Sequence, residues 1–392
     1  MLRVLVLSSR WPDAVRPLVG KVMERQALEL AARPGVEVEV AAPIGLPPFP
    51  FSRMQRHARF DPVGAEEIRN GLRVSRPRYR TIPRLHVSQP FSMARTLLPH
   101  LRRTRARFPF DVIAAQFFWP EGPAAVRLAE ALQVPVSIKG RGPDVALWAE
   151  RRGPGRMIVD AGRRADGMLA ISADLRRHMA ALGMPEERIE VHYTGVDRSR
   201  FHPLGRAAEK AKLGVSGPLL LSVGNLIPRK GHERVVEALS HLPGATLIVA
   251  GSGPGLEALS NRVRALGLED RVRLVGSVPH EAMPALYSAA DVTVHAASLE
   301  GFANVRVESL ACGTPVVSTP AGGADELIRS AEAGRIVPPD ARAIAAAAAE
   351  LIENPPLPEA VARAIDAFTW ARNAARLEAH LRTLAQRGRR PA

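Results

Sequence analysis

The chain has 392 residues, 46% of them hydrophobic, which is too long for one ordinary core and long enough for two α/β domains. Only 5% of the residues are aromatic, and no basic segment is interleaved with stacking side chains, so nucleic acid is disfavoured as a partner. No run of about 18 apolar residues predicts a membrane span. The single cysteine, Cys312, excludes an internal disulfide, and together these features predict a cytoplasmic protein.

The net charge of +15 comes almost entirely from arginine, because the chain holds only five lysines. Two interpretations stay open. The arginines are spread over the surface as a consequence of base composition, or they attract an anionic partner such as a membrane lipid or a phosphorylated acceptor.

Short apolar runs alternate with helical periodicity along the first half, which is typical of a parallel α/β architecture. A helix is predicted over residues 20–32. Between residues 43 and 98 prolines and arginines cluster, so we expect loops and short irregular elements there. Strands are predicted at 4–8, 36–41, 111–115, 134–138, 167–171 and 189–192.

A second series of the same kind starts after Phe201-His202-Pro203, so we predict two domains, 1–202 and 203–367. The chain then ends in an amphipathic helix over 368–385. The second series has a helix at 233–239 and strands at 219–223, 246–250, 272–275, 292–295 and 315–318.

Two cations follow the first strand of the second series. Arg229 and Lys230 lie in Asn-Leu-Ile-Pro-Arg-Lys-Gly, between a strand and a helix. Ligands of open α/β sheets bind outside the carboxyl ends of the strands, and two cations there can neutralise a diphosphate. The alternative is that one or both are ordinary exposed loop charges.

Residues 299–320 combine a loop, a helix start and a buried strand, with Glu300 before the helix and Glu308 inside it. Backbone N–H groups at a helix start suit a phosphate. Carboxylates beside a phosphate can accept hydrogen bonds from the hydroxyls of a sugar or a ribose. This stretch therefore indicates an enzyme acting on a nucleotide sugar.

Glycines mark three further strand ends. Gly20 opens the first helix, where backbone N–H groups could meet a phosphate across a cleft. Gly253 lies in Gly-Ser-Gly-Pro-Gly, which either approaches a nucleobase or makes a plain turn. Arg141 and Asp144 follow the strand at 134–138 and are candidate acceptor or sugar contacts, although Asp144 is also predicted to cap the next helix.

The sequence lacks the motifs of several common kinds of binding site. No Asp-x-Asp occurs and the histidines are scattered, so no metal site is predicted. The segment after the first strand is neither a P-loop nor a dinucleotide fingerprint, which disfavours NAD. No cofactor is expected beyond a nucleotide diphosphate sugar as co-substrate.

These segments together resemble the family 4 retaining glycosyltransferases of bacterial polysaccharide and glycolipid assembly. The two glutamates are separated by seven intervening residues in Glu-Gly-Phe-Ala-Asn-Val-Arg-Val-Glu. The resemblance covers nearly the whole chain and is looser from 43 to 108. Further matches are Pro-Arg-Lys-Gly-His at 228–232, Tyr-Thr-Gly-Val-Asp at 193–197, the segment 272–287, Gly322-Gly323 with Glu326, and the segment around Trp370.

The resemblance implies a GT-B fold: two Rossmann-like domains whose parallel sheets face an interdomain cleft, with the C-terminal helix packed back on the first. The first domain would bind the acceptor and the second the donor. By the same resemblance Glu300 hydrogen-bonds the donor sugar, Glu308 the ribose, and Lys230, helped by Arg229, neutralises the leaving diphosphate. The resemblance also implies that the backbone N–H groups of Gly301, Phe302 and Ala303 lie near the sugar and diphosphate. The predicted donor-binding set is completed by Asn304, Val305, Asn225, Gly20 and Gly253.

Three positions depart from the family pattern. Asn225 stands where an arginine is usual, and Arg229 is offered as its substitute. Ala303 replaces the usual glycine. Arg141 replaces the histidine of His-Gly-x-Asp, so a histidine contact to the sugar is not carried over.

The function predicted is metal-independent glycosyl transfer with retention, from a UDP-, GDP- or ADP-sugar to a carbohydrate or lipid-linked acceptor. The alternatives are a non-catalytic nucleotide-sugar or glycan-binding protein, and a phosphorylase-like or epimerase activity on the same fold. The segment 91–108 either lies on an anionic membrane, which would make the enzyme peripheral on the inner face of the plasma membrane, or is a surface helix kinked at Pro99.

Overall fold

The computed structural model describes residues 1–54 and 60–389, which form two compact units. The first unit contains Met1–Tyr193 and the chain from Trp370 onward, and the second contains Thr194–Thr369. The division lies nine residues before the predicted boundary at 202. Phe201 gives the reason: it is buried, and its ring lies 6.3 Å from that of Tyr287 in the second unit.

The described part of the first unit contains ten strands, most of which follow the predicted apolar runs. The strand at 134–138 is displaced by two residues toward the C-terminus. In chain order the strands are β1 (Leu2–Leu7), β2 (Val36–Ala41), β3 (Ile44–Leu46), β4 (Glu66–Arg69), β5 (Leu72–Ser75), β6 (Arg78–Arg80), β7 (Val112–Ala115), β8 (Val136–Gly140), β9 (Gly167–Ala170) and β10 (Ile189–Val191).

Eight of these strands form one sheet in the order β10-β9-β8-β7-β1-β2-β5-β4, and β3 pairs with β6 in a separate ladder. Pairing is parallel except between β4 and β5. The neighbouring strands β7, β8 and β9 are buried along their whole length, as expected for a sheet covered by helices on both faces. The helices of this region are α1 (Lys21–Ala31), α2 (Gln89–Arg107), α3 (Glu121–Leu132), α4 (Pro143–Ala149), α5 (Arg152–Arg164) and α6 (Ala173–Ala181).

The segment between residues 43 and 98 is more regular than predicted. β4 and β5 form a hairpin through Asn70-Gly71, whose φ angles of 50° and 84° suit a tight turn, and β5 extends the main sheet beside β2. β4 and β5 have only four residues each, which is too short for an alternating apolar pattern to be recognised among the surrounding arginines and prolines. Part of this segment, residues 55–59, lies outside the described residues.

The helix predicted near residues 91–108 is α2, which continues through Pro99. Its apolar residues Met93, Leu97 and Leu101 are each 0% exposed and pack inward. These three side chains face the core and not a bilayer, which favours the alternative of a surface helix with a solvated face, whereas Phe91 near the start of the helix is 48% exposed. None of the helices in the described ranges has the length and hydrophobicity that crossing a membrane requires.

The second unit holds a six-stranded, wholly parallel sheet in the order β13-β12-β11-β14-β15-β16. Its strands are β11 (Leu219–Val223), β12 (Thr246–Ala250), β13 (Val272–Gly276), β14 (Val292–His295), β15 (Val316–Ser318) and β16 (Gly334–Ile336). Its helices are α7 (Arg206–Lys212), α8 (His232–Leu239), α9 (Leu256–Ala265), α10 (Met283–Ala289), α11 (Asn304–Ala311), α12 (Ala324–Leu327), α13 (Ala341–Glu353) and α14 (Pro358–Arg363).

The C-terminal helix α15 (Trp370–Arg387) belongs to the first unit. Leu377, Leu381 and Leu384 enter the core formed by β1, β2 and α1. The buried His380 ring also makes a 2.9 Å hydrogen bond with the hydroxyl of Ser137 on β8. Apolar burial and this polar contact fix the helix on the sheet.

Candidate functional site

The predicted site residues of the second unit gather at the carboxyl ends of its parallel strands. Strand order reverses between β11 and β14, because the chain runs outward through β12 and β13 before β14 returns beside β11. Open α/β sheets bind ligands at such a switch point. The loops involved are 224–231 after β11, 251–255 after β12, 296–303 after β14 and 319–323 after β15.

Lys230 and Glu300 form an ion pair that joins the loops after β11 and β14. Lys230 ends the one-turn helix Pro228–Lys230, and Gly231 follows with φ of 71°. A Cβ atom at Gly231 would lie 2.0 Å from the carbonyl oxygen of Ala296, so only glycine lets this turn approach the end of β14. The close approach brings the ammonium group to the carboxylate.

The charges in this pair are set by burial and by His295. Burial disfavours the ionised Glu300, but the close approach of His295 and the charge of Lys230 outweigh it and lower the pKa of Glu300 to about 2. His295 Nε2 lies 3.5 Å from Glu300 Oε1. Burial lowers the pKa of His295 to about 4, so Glu300 is ionised beside a neutral imidazole at neutral pH.

Arg229 supports the same loop from its other side. Its guanidinium donates a 3.1 Å hydrogen bond to the carbonyl of Leu299, and the N–H of Ser298 donates a 2.9 Å bond to the Arg229 carbonyl. The structure therefore places Arg229 next to Glu300 as a loop contact. Asn225 lies exposed at the start of the loop after β11.

The glycine-rich segment after β12 packs directly on the loop after β11. A Cβ atom at Gly251 would lie 1.8 Å from the carbonyl oxygen of Gly224, and one at Gly253 would lie 2.6 Å from that of Leu226. Side chains are excluded because two backbones touch. This close packing accounts for Gly253, whose donor-binding role stays a prediction.

Residues 301–305 lead into α11. Phe302 is buried and its ring stacks on Phe368 at 5.9 Å between centroids, so it anchors the loop. Ala303 precedes the helix with φ of −78°, a conformation open to any residue, so this departure from the family's glycine causes no backbone strain. Asn304 and Val305 form the first turn, half-buried, and Gly301 is buried.

Glu308 lies about one helical turn after Asn304 in α11, and its carboxylate contacts two side chains. Its carboxylate accepts a 3.0 Å hydrogen bond from the Tyr287 hydroxyl and lies 3.1 Å from Nε2 of His280. Hydrogen bonding to Glu308 raises the pKa of His280. The carboxylate is thus fixed while part of it, 16% of the side chain, still reaches solvent.

The first unit contains the other predicted residues. Arg141 donates to the side-chain and backbone oxygens of Gln116, and burial lowers its pKa to about 10. Asp144 lies inside the first turn of α4, where it accepts hydrogen bonds from the N–H groups of Phe118 and Arg141, so it ties loops together and does not cap the helix as predicted. Gly20 is required by packing, because a Cβ there would lie 2.2 Å from the Arg10 carbonyl oxygen.

Sequence reasoning missed His295 and Arg306. His295 is the last residue of the buried strand Val-Thr-Val-His, and an ionisable residue at that position, five before Glu300, is a usable signal. Arg306 sits in α11 with 0% exposure, and nothing in the sequence distinguishes it from a solvated arginine. Among the described residues, no group of three His, Cys, Asp or Glu side chains could hold a metal ion.

Two family models match the chain. The one described as Glycosyltransferase Family 4 matches residues 19–200, and the one described as Glycosyl transferases group 1 matches residues 206–367. Each model falls mainly on one of the two units.

Among curated relatives, a glycosyltransferase assigned to teichuronic acid biosynthesis in Bacillus subtilis is 28% identical over 355 residues, covering 88% of each chain. A GDP-mannose-dependent alpha-(1-6)-phosphatidylinositol monomannoside mannosyltransferase of Mycolicibacterium smegmatis is 32% identical over 236 residues. That match covers 55% of this chain and 62% of the relative, which is less than two thirds of the relative's length.

Solved structures share the fold. A sucrose-phosphate synthase from Thermosynechococcus elongatus superposes with a TM-score of 0.78 at 22% identity, covering 99% of this chain and 100% of that one. An Anabaena protein in complex with UDP-glucose gives a TM-score of 0.66 at 20% identity over 99% and 98% of the two chains. At these identities the likeness establishes the architecture alone.

Proposed function

This chain belongs to the family 4 glycosyltransferases of the GT-B fold, and from that premise we propose that it is a retaining enzyme. It moves a hexose-type sugar from a nucleotide diphosphate sugar to a glycan or lipid-linked acceptor. The observation that carries the proposal is the ion pair of Lys230 with Glu300 at the switch point of the second sheet.

The proposed roles follow from the charges at this point. Glu300, ionised and 10% exposed, accepts hydrogen bonds from hydroxyls of the donor sugar. Lys230 is the cation nearest to it, and an arriving diphosphate competes for its ammonium group. Lys230, supported by Arg229, then stabilises the negative charge that develops on the leaving oxygen.

The remaining donor contacts are assigned along α11. Glu308 binds the ribose, and the backbone N–H groups of residues 301–305 face the sugar and diphosphate. Because a lysine supplies the positive charge, the reaction is proposed to need no metal ion. The leaving phosphate accepts the proton of the acceptor hydroxyl, so no dedicated protein base is required.

The acceptor is assigned to the first unit, with Arg141 and Asp144 as its polar contacts, while Gly20 stays in the proposed donor-binding set as a backbone approach to the phosphate. The distribution of charge supports an anionic partner there. Of the 54 lysines and arginines, 37 lie in the first unit with 20 of the 39 acidic residues, which gives +17; the second unit holds 17 and 19, which gives −2. If the arginines were spread evenly as a consequence of base composition, both units would carry a positive net charge, which the second unit does not.

We therefore propose that the first unit meets an anionic surface, either a lipid-linked acceptor or the membrane that carries it, on the cytoplasmic side. Arg95, Arg102 and Arg103 are exposed on α2 and supply charge without its buried apolar face. The contact would be electrostatic and sensitive to salt.

Product analysis tests the function. The purified protein is incubated in EDTA with UDP-, GDP- or ADP-hexoses and a panel of carbohydrate and polyprenyl-linked acceptors, and products are examined by mass spectrometry and proton NMR. The proposal requires a glycosylated product with the anomeric configuration of the donor. An inverted product, or release of nucleotide without glycosylation of any acceptor, contradicts it.

A further inference from the structure

Arg306 lies inside α11 between the two proposed donor-binding glutamates, and its side chain is 0% exposed. The resemblance assigns it no role. A buried guanidinium is costly unless its donors are satisfied, so its partners indicate what the position is built to do.

The guanidinium reaches from α11 to the loop after β15. Nη1 donates a 2.8 Å hydrogen bond to the carbonyl of Ala321 and lies 3.3 Å from the Ser318 hydroxyl. Nη2 donates to the carbonyl of Gly322. One rigid, planar group therefore holds two consecutive carbonyls of that loop.

The loop in turn touches Glu300. Gly322 has φ of 58°, and a Cβ atom there would lie 2.6 Å from the Cβ atom of Glu300 and 2.9 Å from its carbonyl oxygen. The backbone of Gly322 is thus seated against the backbone of Glu300. Moving the carbonyls that Arg306 holds would release Glu300 on this side.

The carboxylate end of Glu300 is held separately, by Lys230 and by the neighbouring His295. The ion pair with Lys230 can exchange when a diphosphate arrives, whereas the backbone support from Gly322 does not depend on charge. Glu300 then keeps its place during the exchange only if the loop after β15 stays fixed.

We propose that Arg306 is a positioning residue for sugar transfer: it clamps Ala321 and Gly322 against Glu300 and so holds the sugar-binding carboxylate in place. The proposal rests on the sugar-binding role given to Glu300 above. Arg306 does not touch the donor. Its loss acts through Glu300, so it lowers turnover while leaving the affinity for the nucleotide alone nearly unchanged.

The test uses Arg306→Met and Arg306→Lys in the full chain, with Arg271→Met as the matched control. Arg271 also donates to backbone carbonyls, at 2.8 Å to Leu242 and 3.5 Å to Ala245, but at the opposite edge of the sheet. Melting temperature, kcat and KM for the donor sugar, and the Kd of the matching nucleoside diphosphate are measured for each protein.

Arg306→Met is expected to lower kcat about 10- to 100-fold, because small misplacements of a reacting group cost this much, while the Kd of the nucleoside diphosphate changes less than about threefold. Arg306→Lys recovers part of the loss, since a lysine can still reach one carbonyl. Arg271→Met lowers the melting temperature and keeps the wild-type kcat.

Gly322→Ala is the second variant if Arg306→Met does not fold, because it retains the arginine and pushes the loop off Glu300. It should give the same loss of kcat. A folded Arg306→Met or Gly322→Ala protein with wild-type kcat overturns the inference. If the wild-type protein transfers no sugar, or Glu300→Gln has no effect on transfer, the proposed function itself has failed.

Discussion

Lys230 and Glu300, seventy residues apart in the sequence, form a largely buried ion pair with 15% and 10% of their side chains exposed. The pair lies at the carboxyl ends of β11 and β14, where the strand order of the second sheet reverses. Such burial is weak evidence for a contribution to stability, because desolvation offsets much of the attraction. A cation and a carboxylate held at a ligand-binding edge are better explained by the chemistry they perform.

The role of Glu300 is tested by Glu300→Gln, which keeps the shape of the side chain and removes its charge. We expect kcat to fall about 100-fold, as for other losses of a transition-state contact, because the amide binds sugar hydroxyls more weakly. The Kd of the free nucleoside diphosphate should change little. Steady-state kinetics and calorimetry measure both quantities.

Glu257→Gln is the control for that variant, since Glu257 is exposed in the first turn of α9. It should match wild type in every measurement. Wild-type transfer kinetics in Glu300→Gln would remove Glu300 from the site.

The role of Glu308 predicts a specific loss of ribose recognition. Wild type should bind the ribonucleoside diphosphate more tightly than its 2′,3′-dideoxy analogue by about 10-fold, the worth of a charged hydrogen bond. Glu308→Gln should bind the two ligands almost equally. Tyr287→Phe, which removes one fixed partner of the carboxylate, should reduce the discrimination less. If Glu308→Gln discriminates as well as wild type, the ribose is bound elsewhere.

The buried histidine of the Pro-Arg-Lys-Gly-His segment predicts a pH dependence of stability. Burial lowers the pKa of His232 from 6.5 to about 4, and its Nδ1 is 2.9 Å from the Ser222 hydroxyl. The neutral form is favoured by folding, so its contribution is fully present above pH 6.5 and is lost as the pH falls toward 4. The size is on the order of 2–3 kcal/mol in the free energy of unfolding.

His232→Gln should therefore show a smaller drop in melting temperature between pH 7.5 and pH 5 than wild type. The control is His241→Gln, which changes an exposed histidine of the same unit and should keep the wild-type drop. Parallel pH profiles for all three proteins would contradict the lowered pKa.

The charge partition predicts binding of the first unit to anionic membranes. Wild type should float with vesicles containing phosphatidylglycerol and not with pure phosphatidylcholine, and 0.5 M NaCl should release it. The double variant Arg102→Gln, Arg103→Gln should float less. Arg264→Gln with Arg342→Gln removes the same charge from exposed positions of the second unit and should leave flotation unchanged. Equal flotation on neutral vesicles would point to a contact that is not electrostatic.

Much of the fold could be predicted from local pattern. β11 and β12 match their predicted bounds because each is a short, largely apolar run bounded by Gly or Pro, and β2 matches because its valines alternate with glutamates between Gly35 and Pro43. The hairpin of β4 and β5 was missed, since it is held on the sheet by the pairing of β5 with β2, and sequence distance hides that pairing. The same reason moved the boundary between the units, because Phe201 is buried by residues more than eighty positions away.

The candidate site residues come from motifs and from the resemblance, whereas their contacts depend on packing. Lys230 and Glu300 were both chosen from their motifs, but their pairing is visible only in three dimensions. Asp144 was expected to cap a helix and instead accepts hydrogen bonds from the N–H groups of Arg141, just before the helix, and of Phe118, on the loop after β7. The burial of Arg306 could not be predicted from the sequence, since it depends on the loop after β15 that covers the side chain.

The most direct test of the central claim is calorimetric titration of UDP-, GDP- and ADP-glucose, with their mannose counterparts, into wild type and Lys230→Ala in the presence of EDTA. At least one nucleotide sugar should bind wild type, and Lys230→Ala, folded by its melting temperature, should bind it at least about 10-fold more weakly because a diphosphate contact is lost. Equal affinity in the two proteins, or no binding of any of these donors to wild type, would contradict the claim.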